Sequence, residues 1–169
     1  GTAVRDSDAW YTPPEYIDCA REVMGSIDFD PFSSVRANAI IRARHYLTPE
    51  CSALTHKWRN AKRKRDYPHG LNVWMNPPYS SPMISQATDA FLHAYDHGDI
   101  AQAIVLVNNA TETHWFRLLR QSSLAVCFPT HRIAFVAPDG KPIGGNTRAQ
   151  VFFYYGTKSG SQRFIQYFQ

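Results

Sequence analysis

The chain has 169 residues, 44% apolar and 19% charged, enough for one domain with a full core and unlike a disordered segment. Its 18 Lys and Arg against 14 Asp and Glu give a net charge of +4. Nothing approaches the run of roughly 18 apolar residues that crosses a bilayer, so no membrane partner is expected.

The N-terminal "GTAVRDSDAWYTPP" has no apolar core, which excludes a signal peptide from the reading. Residues 12–25, "TPPEYIDCAREVMG", predict a helix: prolines at the first turn, Tyr16, Ile17, Ala20, Val23 and Met24 on one side, and Gly25 as the stop. "SIDFDPF" (26–32) alternates and ends at Asp30-Pro31, the pattern of a strand closing in a turn. The region 35–70 stays open, because "ANAIIRARHYL" suits a helix or a short strand equally. Within it, "KWRNAKRKR" (57–65) carries six basic residues and no acid. Without those six the chain has 12 basic against 14 acidic residues, a net −2, so the basicity is local. Lys57, Arg59, Lys62, Arg63, Lys64 and Arg65 are therefore candidates for phosphate contacts, with a solvated loop as the alternative.

"NVWM" (72–75) predicts a strand, and "SPMISQATDAFLHAYDHG" (81–98) a helix capped by Ser81 with Pro82 at its first position. His93 and His97 stand at i, i+4 near its end. With only Asp96 or Asp99 nearby they read as a helix C-terminus stopped by Gly98, and no metal is expected. "AQAIVLVNN" (101–109) is a β-branched run, the mark of a strand covered on both faces. "TETHWFRLLRQ" (111–121) predicts a helix capped by Thr111. "LAVCFPT", "RIAFVA", "AQVFFYYG" and "RFIQYF" read as strands. The stretch "DGKPIGGNTRAQ" (139–150), with Gly144, Gly145 and Arg148, is either a loop that closes on a substrate or a plain hairpin. Cys19, Cys51 and Cys127 form no C-x-x-C pair, which points to a reducing, intracellular setting and away from disulfides. Strands alternating with helices and then several strands in succession imply an α/β fold with a largely parallel sheet and an antiparallel C-terminal edge. In such sheets ligands bind at the carboxyl ends of strands, so Asp30-Pro31 and the end of 72–75 are expected on one rim.

That second strand end is "NPPY", Asn76-Pro77-Pro78-Tyr79. Two prolines give up two backbone donors and fix φ twice, leaving a rigid segment rich in carbonyl acceptors. The Asn76 side-chain oxygen and the Pro77 carbonyl form an acceptor pair that fits both hydrogens of a conjugated –NH2 group. Such an amine is a poor nucleophile until its lone pair is drawn out of the ring, and acceptors that tighten as charge grows on nitrogen favour the transition state. Tyr79 offers a face for the ring.

This motif resembles that of S-adenosylmethionine-dependent amino-methyltransferases. Together with "WYTPPEY", "FDPFSS", "TETHWF" and "HRIAF" in that order, it makes the chain, from Trp10 to about Tyr155, similar to the small phage-type (Dam-like) adenine DNA methyltransferases. The resemblance implies a Rossmann-like methyltransferase fold in a single domain over 1–169. It implies S-adenosylmethionine as cofactor, DNA as partner, methyl transfer to N6 of a flipped adenine, and a phage or prophage gene acting in the bacterial cytoplasm. It assigns Trp10, Tyr11, Thr12, Pro13, Asp30, Pro31 and Ser33 to the cofactor, and Asn76, Pro77, Pro78 and Tyr79 to the amine. Two residues have readings beside these: Trp10 as a core anchor and Asp30 as a turn-former before proline. "DPFSSVRAN" lacks the glycine-rich turn usual in the fold, and Glu50 is the candidate for the acid expected after the second strand. The same chemistry on RNA, cytosine N4 or a protein glutamine, and an inactive DNA-binding module, are the alternatives. Oligomeric state has no signature in the sequence.

Overall fold

The computed structural model describes residues 11–143 and 148–168. Six helices and six strands follow in the order α1 (Pro14–Met24), β1 (Phe29–Asp30), α2 (Val35–Ile41), β2 (His45–Tyr46), α3 (Ala61–Asp66), β3 (Leu71–Met75), α4 (Met83–Asp96), β4 (Ile100–Asn108), α5 (His114–Ser122), β5 (Ala125–Cys127), β6 (Gln150–Tyr155) and α6 (Lys158–Phe168). The strands form one sheet in the order β2-β1-β3-β4-β6-β5. β2, β1, β3 and β4 are mutually parallel, and β6 is antiparallel to both of its neighbours. β6 sits one place in from the edge, and β5, at the edge, runs with β4. This is the mixed α/β sheet of a Rossmann-like methyltransferase fold.

Both faces of the sheet are covered, as the β-branched run of β4 requires. Alternate β4 residues serve two cores. Ala103, Val105 and Val107 pack with Phe91 of α4, with Phe116 and Leu119 of α5, and with Trp58. Ile104 and Leu106 pack with Ile17, Ala20 and Val23 of α1 and with Phe164 and Phe168 of α6.

The local chemistry departs from expectation in identifiable places. The open region 35–70 resolves into α2, a two-residue β2 and the short α3. "RFIQYF" is helix, not strand: Gly160, Phe164 and Phe168 recur every four residues and form the buried side of α6. The helix lies so close to the sheet that a Cβ on Gly160 would stand 1.7 Å from the Tyr154 hydroxyl. "RIAFVA" makes only an isolated bridge, Val136 to Tyr11 and to Pro142; its alternation buries Ile133 and Phe135 without placing them in the ladder. α5 is capped by Thr113, whose hydroxyl accepts from the Phe116 amide, and Thr111 lies outside the helix. Pro82, and not Ser81, occupies the cap position of α4, and no side chain caps that end. At the other end of α4 the His93 and His97 rings lie 4.0 Å apart, and no group of three or more His, Cys, Asp or Glu suited to a metal occurs among the described residues. No described helix is long and apolar enough to cross a membrane.

Candidate active site

From β1 the chain steps outward to β2 and then crosses back to β3 on the other side of β1. Connections after β1 and β3 therefore leave in opposite directions, and a cleft opens between their carboxyl ends. A cavity of about 610 Å³ lies there, bordered by Asp30 to Ser34 after β1 and by Asn76 to Ser80 after β3. The two unusual strand ends do share one rim. The volume suits a drug-sized ligand.

The turn after β1 needs no glycine, because side chains close it. The Asp30 carboxylate accepts from the Phe32 amide at 3.1 Å, and the Ser34 hydroxyl caps α2 by accepting from the Ala37 amide at 3.0 Å. No residue from 30 to 34 has a positive φ. Asp30 is 1% exposed and is the one acid among the described lining residues. Burial pushes its carboxyl up to about 7 against the opposing pull of the Phe32 amide and the Ser33 hydroxyl. Its second oxygen, Oδ2, is buried with no hydrogen-bond partner. A carboxylate oxygen left bare in a cavity wall costs stability in the empty protein, and a cationic or N–H-bearing ligand would complete it.

Across the cavity a chain of hydrogen bonds runs from the segment before α1 to β4. Asn76 Nδ2 donates to the hydroxyl of the buried Thr12 at 3.3 Å. The Tyr79 hydroxyl donates to Asn76 Oδ1 and to the Leu106 carbonyl. Thr12 thus fixes which end of the amide points where, and the oxygen lies on the Tyr79 side. Desolvation holds the Tyr79 hydroxyl well above the usual phenol range, so it is a neutral donor and no base. In this state Tyr79 occupies the acceptor that the sequence reading gives to an amine, so an incoming amine must displace the phenol. No donor among the described residues reaches the Pro77 carbonyl.

Of the residues read as cofactor-binding, Tyr11, Thr12, Asp30, Pro31 and Ser33 line the cavity. Pro13 is buried at the cap of α1, and Trp10 lies outside the described residues. On the β2 side the wall is Thr48, Pro49 and Ser52, whereas Glu50 is exposed and off the lining. Tyr11 is tied to Val136 by two backbone hydrogen bonds of 2.8 Å, which carries the hairpin 135–143 to the mouth. The Arg36 guanidinium donates to the Pro138 carbonyl at 3.3 Å on the same hairpin. The Gly144-Gly145 part of the stretch lies outside the described residues; Arg148, exposed, borders the cavity.

The basic run is divided in two. Arg59 pairs with Asp99 at 3.3 Å and donates to the Tyr67 and Pro68 carbonyls. Arg63 lies 4.8 Å above the Phe29 ring and donates to the Trp58 carbonyl. Both guanidinium groups therefore serve the fold. Lys57, Lys62, Lys64 and Arg65 are exposed, and none of the six borders the cavity. Asp99 precedes β4 at the amino end of the sheet, seven residues before Leu106, or about 23 Å along the strand from the level of Tyr79.

The family model for DNA N-6-adenine-methyltransferase (Dam) matches residues 1–168. The chain belongs to this family. Two relatives are phage proteins. A DNA N-6-adenine-methyltransferase of Haemophilus phage HP1 (strain HP1c1) is 24% identical over 163 residues, covering 94% of this chain and 84% of its own length. A DNA N-6-adenine-methyltransferase of Escherichia phage T1 is 25% identical over 171 residues, covering 90% of this chain and 65% of its own. Membership makes the protein an enzyme of DNA adenine N6-methylation; RNA, cytosine, protein glutamine and an inactive module are not favoured. For a Dam-family member the cleft holds residues that the sequence reading passed over: Trp74, Phe135, Asn108 and Gln150 all line it. Asn108 carried a legible signal, an amide ending an apolar strand as Asn76 does; Gln150 carried none.

Proposed function

We propose that this single domain transfers the methyl group of S-adenosylmethionine to N6 of an adenine flipped out of DNA into the cavity. The observation that carries the reading is the meeting, in one cavity, of a buried carboxylate with a bare oxygen and an amide beside an unengaged carbonyl. Asp30 Oδ2 suits the ammonium of the cofactor, and Tyr11, Thr12, Pro31 and Ser33 border the space around it. Pro13 supports Thr12, and Trp10 is assigned to the same wall. When bound, the cofactor supplies an electrophilic methyl carbon on a sulfonium.

Asn76 Oδ1 and the Pro77 carbonyl accept the two amine hydrogens, with Pro78 holding the segment rigid and Tyr79, released from Asn76, stacking on the purine. The amine nitrogen bonds to the methyl carbon as the carbon–sulfur bond breaks, with that electron pair leaving on sulfur. The nitrogen then sheds a proton to water, so no strong base is needed, and catalysis is mostly positioning. Arg148 at the mouth is assigned to the sugar-phosphate backbone of the target strand. Lys57, Lys62, Lys64 and Arg65 are assigned no contact with the target nucleotide, given their distance from the mouth. The phage relatives support action in the cytoplasm of a bacterial host.

The test is transfer of labelled methyl from S-adenosylmethionine to DNA free of modified bases, followed by nucleoside mass analysis. Label in N6-methyladenine is expected; label in no nucleoside, with cofactor bound, would overturn the reading.

A further inference from the structure

Two buried amides beside the proposed amine site have no part in the chemistry above. Asn108 ends β4 and Gln150 begins β6, and the two are register partners. They are 9% and 5% exposed, and both line the cavity with Asn76. Gln150 Nε2 donates to Asn108 Oδ1 at 3.0 Å. The sheet does not require this pair: the neighbouring register positions are Val107 with Val151 and Leu106 with Phe152. Buried amides at such positions cost free energy unless something uses them.

Their placement suggests the use. Trp74 pairs with Ile104, so Ile104, Leu106 and Asn108 alternate onto the sheet face that Trp74 occupies. Asn76 follows Trp74 by two residues and bonds Thr12 on that same side. Asn76 and Asn108 therefore stand on adjacent strands, about 4.8 Å apart, facing one space. The bond from Gln150 consumes the Asn108 oxygen and turns Nδ2, a donor, away from it. That nitrogen has no partner among the described residues.

We infer that Asn108, positioned by Gln150, donates a hydrogen bond to the ring nitrogen flanking the amine of the target adenine. The inference rests on the reading that Asn76 and Pro77 hold that amine. Acceptors for the –NH2 group beside a donor for N1 or N7 match adenine and mismatch guanine, which carries a carbonyl oxygen where adenine has its amine. Asn108 is thus a residue of base selection, and Gln150 sets its orientation.

Two variants and two substrate analogues test this. Asn108→Asp keeps an oxygen for Gln150 and removes only the donor; Asn108→Ala removes both. Each should lower kcat/KM about 10- to 100-fold on a duplex carrying one site that the wild type methylates. Cofactor affinity by calorimetry should stay within about twofold. With the wild type, either 1-deazaadenine or 7-deazaadenine at the target should cost a similar factor, naming the nitrogen read. Asn108→Ala should show no further loss on that analogue. Variants within about threefold of wild type, fully additive losses, or two analogues as good as adenine would each overturn the inference. The analogue arm decides even where a variant fails to fold. A wild type that makes no N6-methyladenine would instead overturn the reading beneath it.

Discussion

Asp28 and Asp30 lie two residues apart in one strand region, both buried, and meet opposite fates. Asp28, at 4% exposure, accepts from the Asn72 amide at 2.8 Å and from the Ser26 hydroxyl at 2.9 Å. Asn72 continues the network to the Met24 carbonyl and toward Gln102, which accepts from Tyr154 at 2.8 Å. Four strands and the end of α1 are joined there. Asp30, one turn of pleat nearer the rim, keeps an oxygen with no partner. The amino end of the sheet is a completed polar network and the carboxyl end an incomplete one. Burial alone does not separate structural from functional carboxylates; the completeness of their partners does.

That contrast can be broken by mutation, beginning at the incomplete end. Asn76→Ala should reduce turnover about 10³-fold while leaving cofactor affinity and the melting temperature near wild type, measured by label transfer and calorimetry. A large loss of stability in that variant would assign Asn76 to the scaffold. At the completed end, Asp28→Ala should cost about 3 kcal/mol by orphaning the Asn72 amide and the Ser26 hydroxyl, lowering Tm by about 10 °C. Activity per folded molecule should be retained.

Asp30→Asn probes the bare oxygen through pH. The native carboxyl stays protonated up to about 7, whereas an unfolded chain ionises it near pH 4. Between those values the unfolded form sheds a proton that the folded form keeps. The Asp30 contribution to apo stability therefore falls as pH rises from about 4 to about 7, then levels. Cofactor affinity should move the other way and rise toward pH 7, because an ammonium needs the carboxylate. Asp30→Asn should remove both dependences and weaken binding about 10-fold at pH 7, measured by calorimetry. The smallest effect is expected from Lys62→Ala, Lys64→Ala and Arg65→Ala combined. Loss of three phosphate contacts would cut the salt slope of DNA binding by about 2.7; a change below about 0.5 is expected.

Much of this was legible in the sequence. α1, α4 and α5, the covered strand β4, and the shared rim of Asp30 and Asn76 follow from periodicity, proline placement and strand-end chemistry. The failures have physical causes. In "RFIQYF" four large apolar residues in six satisfy a strand pattern, and only Gly160, further back, reveals the four-residue period. In "RIAFVA" the alternation is real, but periodicity says nothing about whether a neighbouring strand exists. The basic run read as one charged element because the sequence does not show that Phe29 and Asp99 lie beneath Arg63 and Arg59. Tyr79 on Asn76, and Gln150 beside Asn108, are tertiary pairings with no local signal.

The turn after β1 has a consequence for competition inside a cell. Many nucleotide sites at this position in parallel sheets offer glycine amides to phosphate oxygens. Here Asp30 and the Ser34 cap take up the local amides of Phe32 and Ala37, and the cavity wall presents a carboxyl group instead. A polyphosphate tail meets negative charge and finds those donors already spent, while a sulfonium-ammonium ligand meets a complement. Adenine nucleotides, abundant and sharing a purine with the methyl donor, are thus turned away at their phosphates, so the enzyme stays open to its cofactor in a cytoplasm full of ATP.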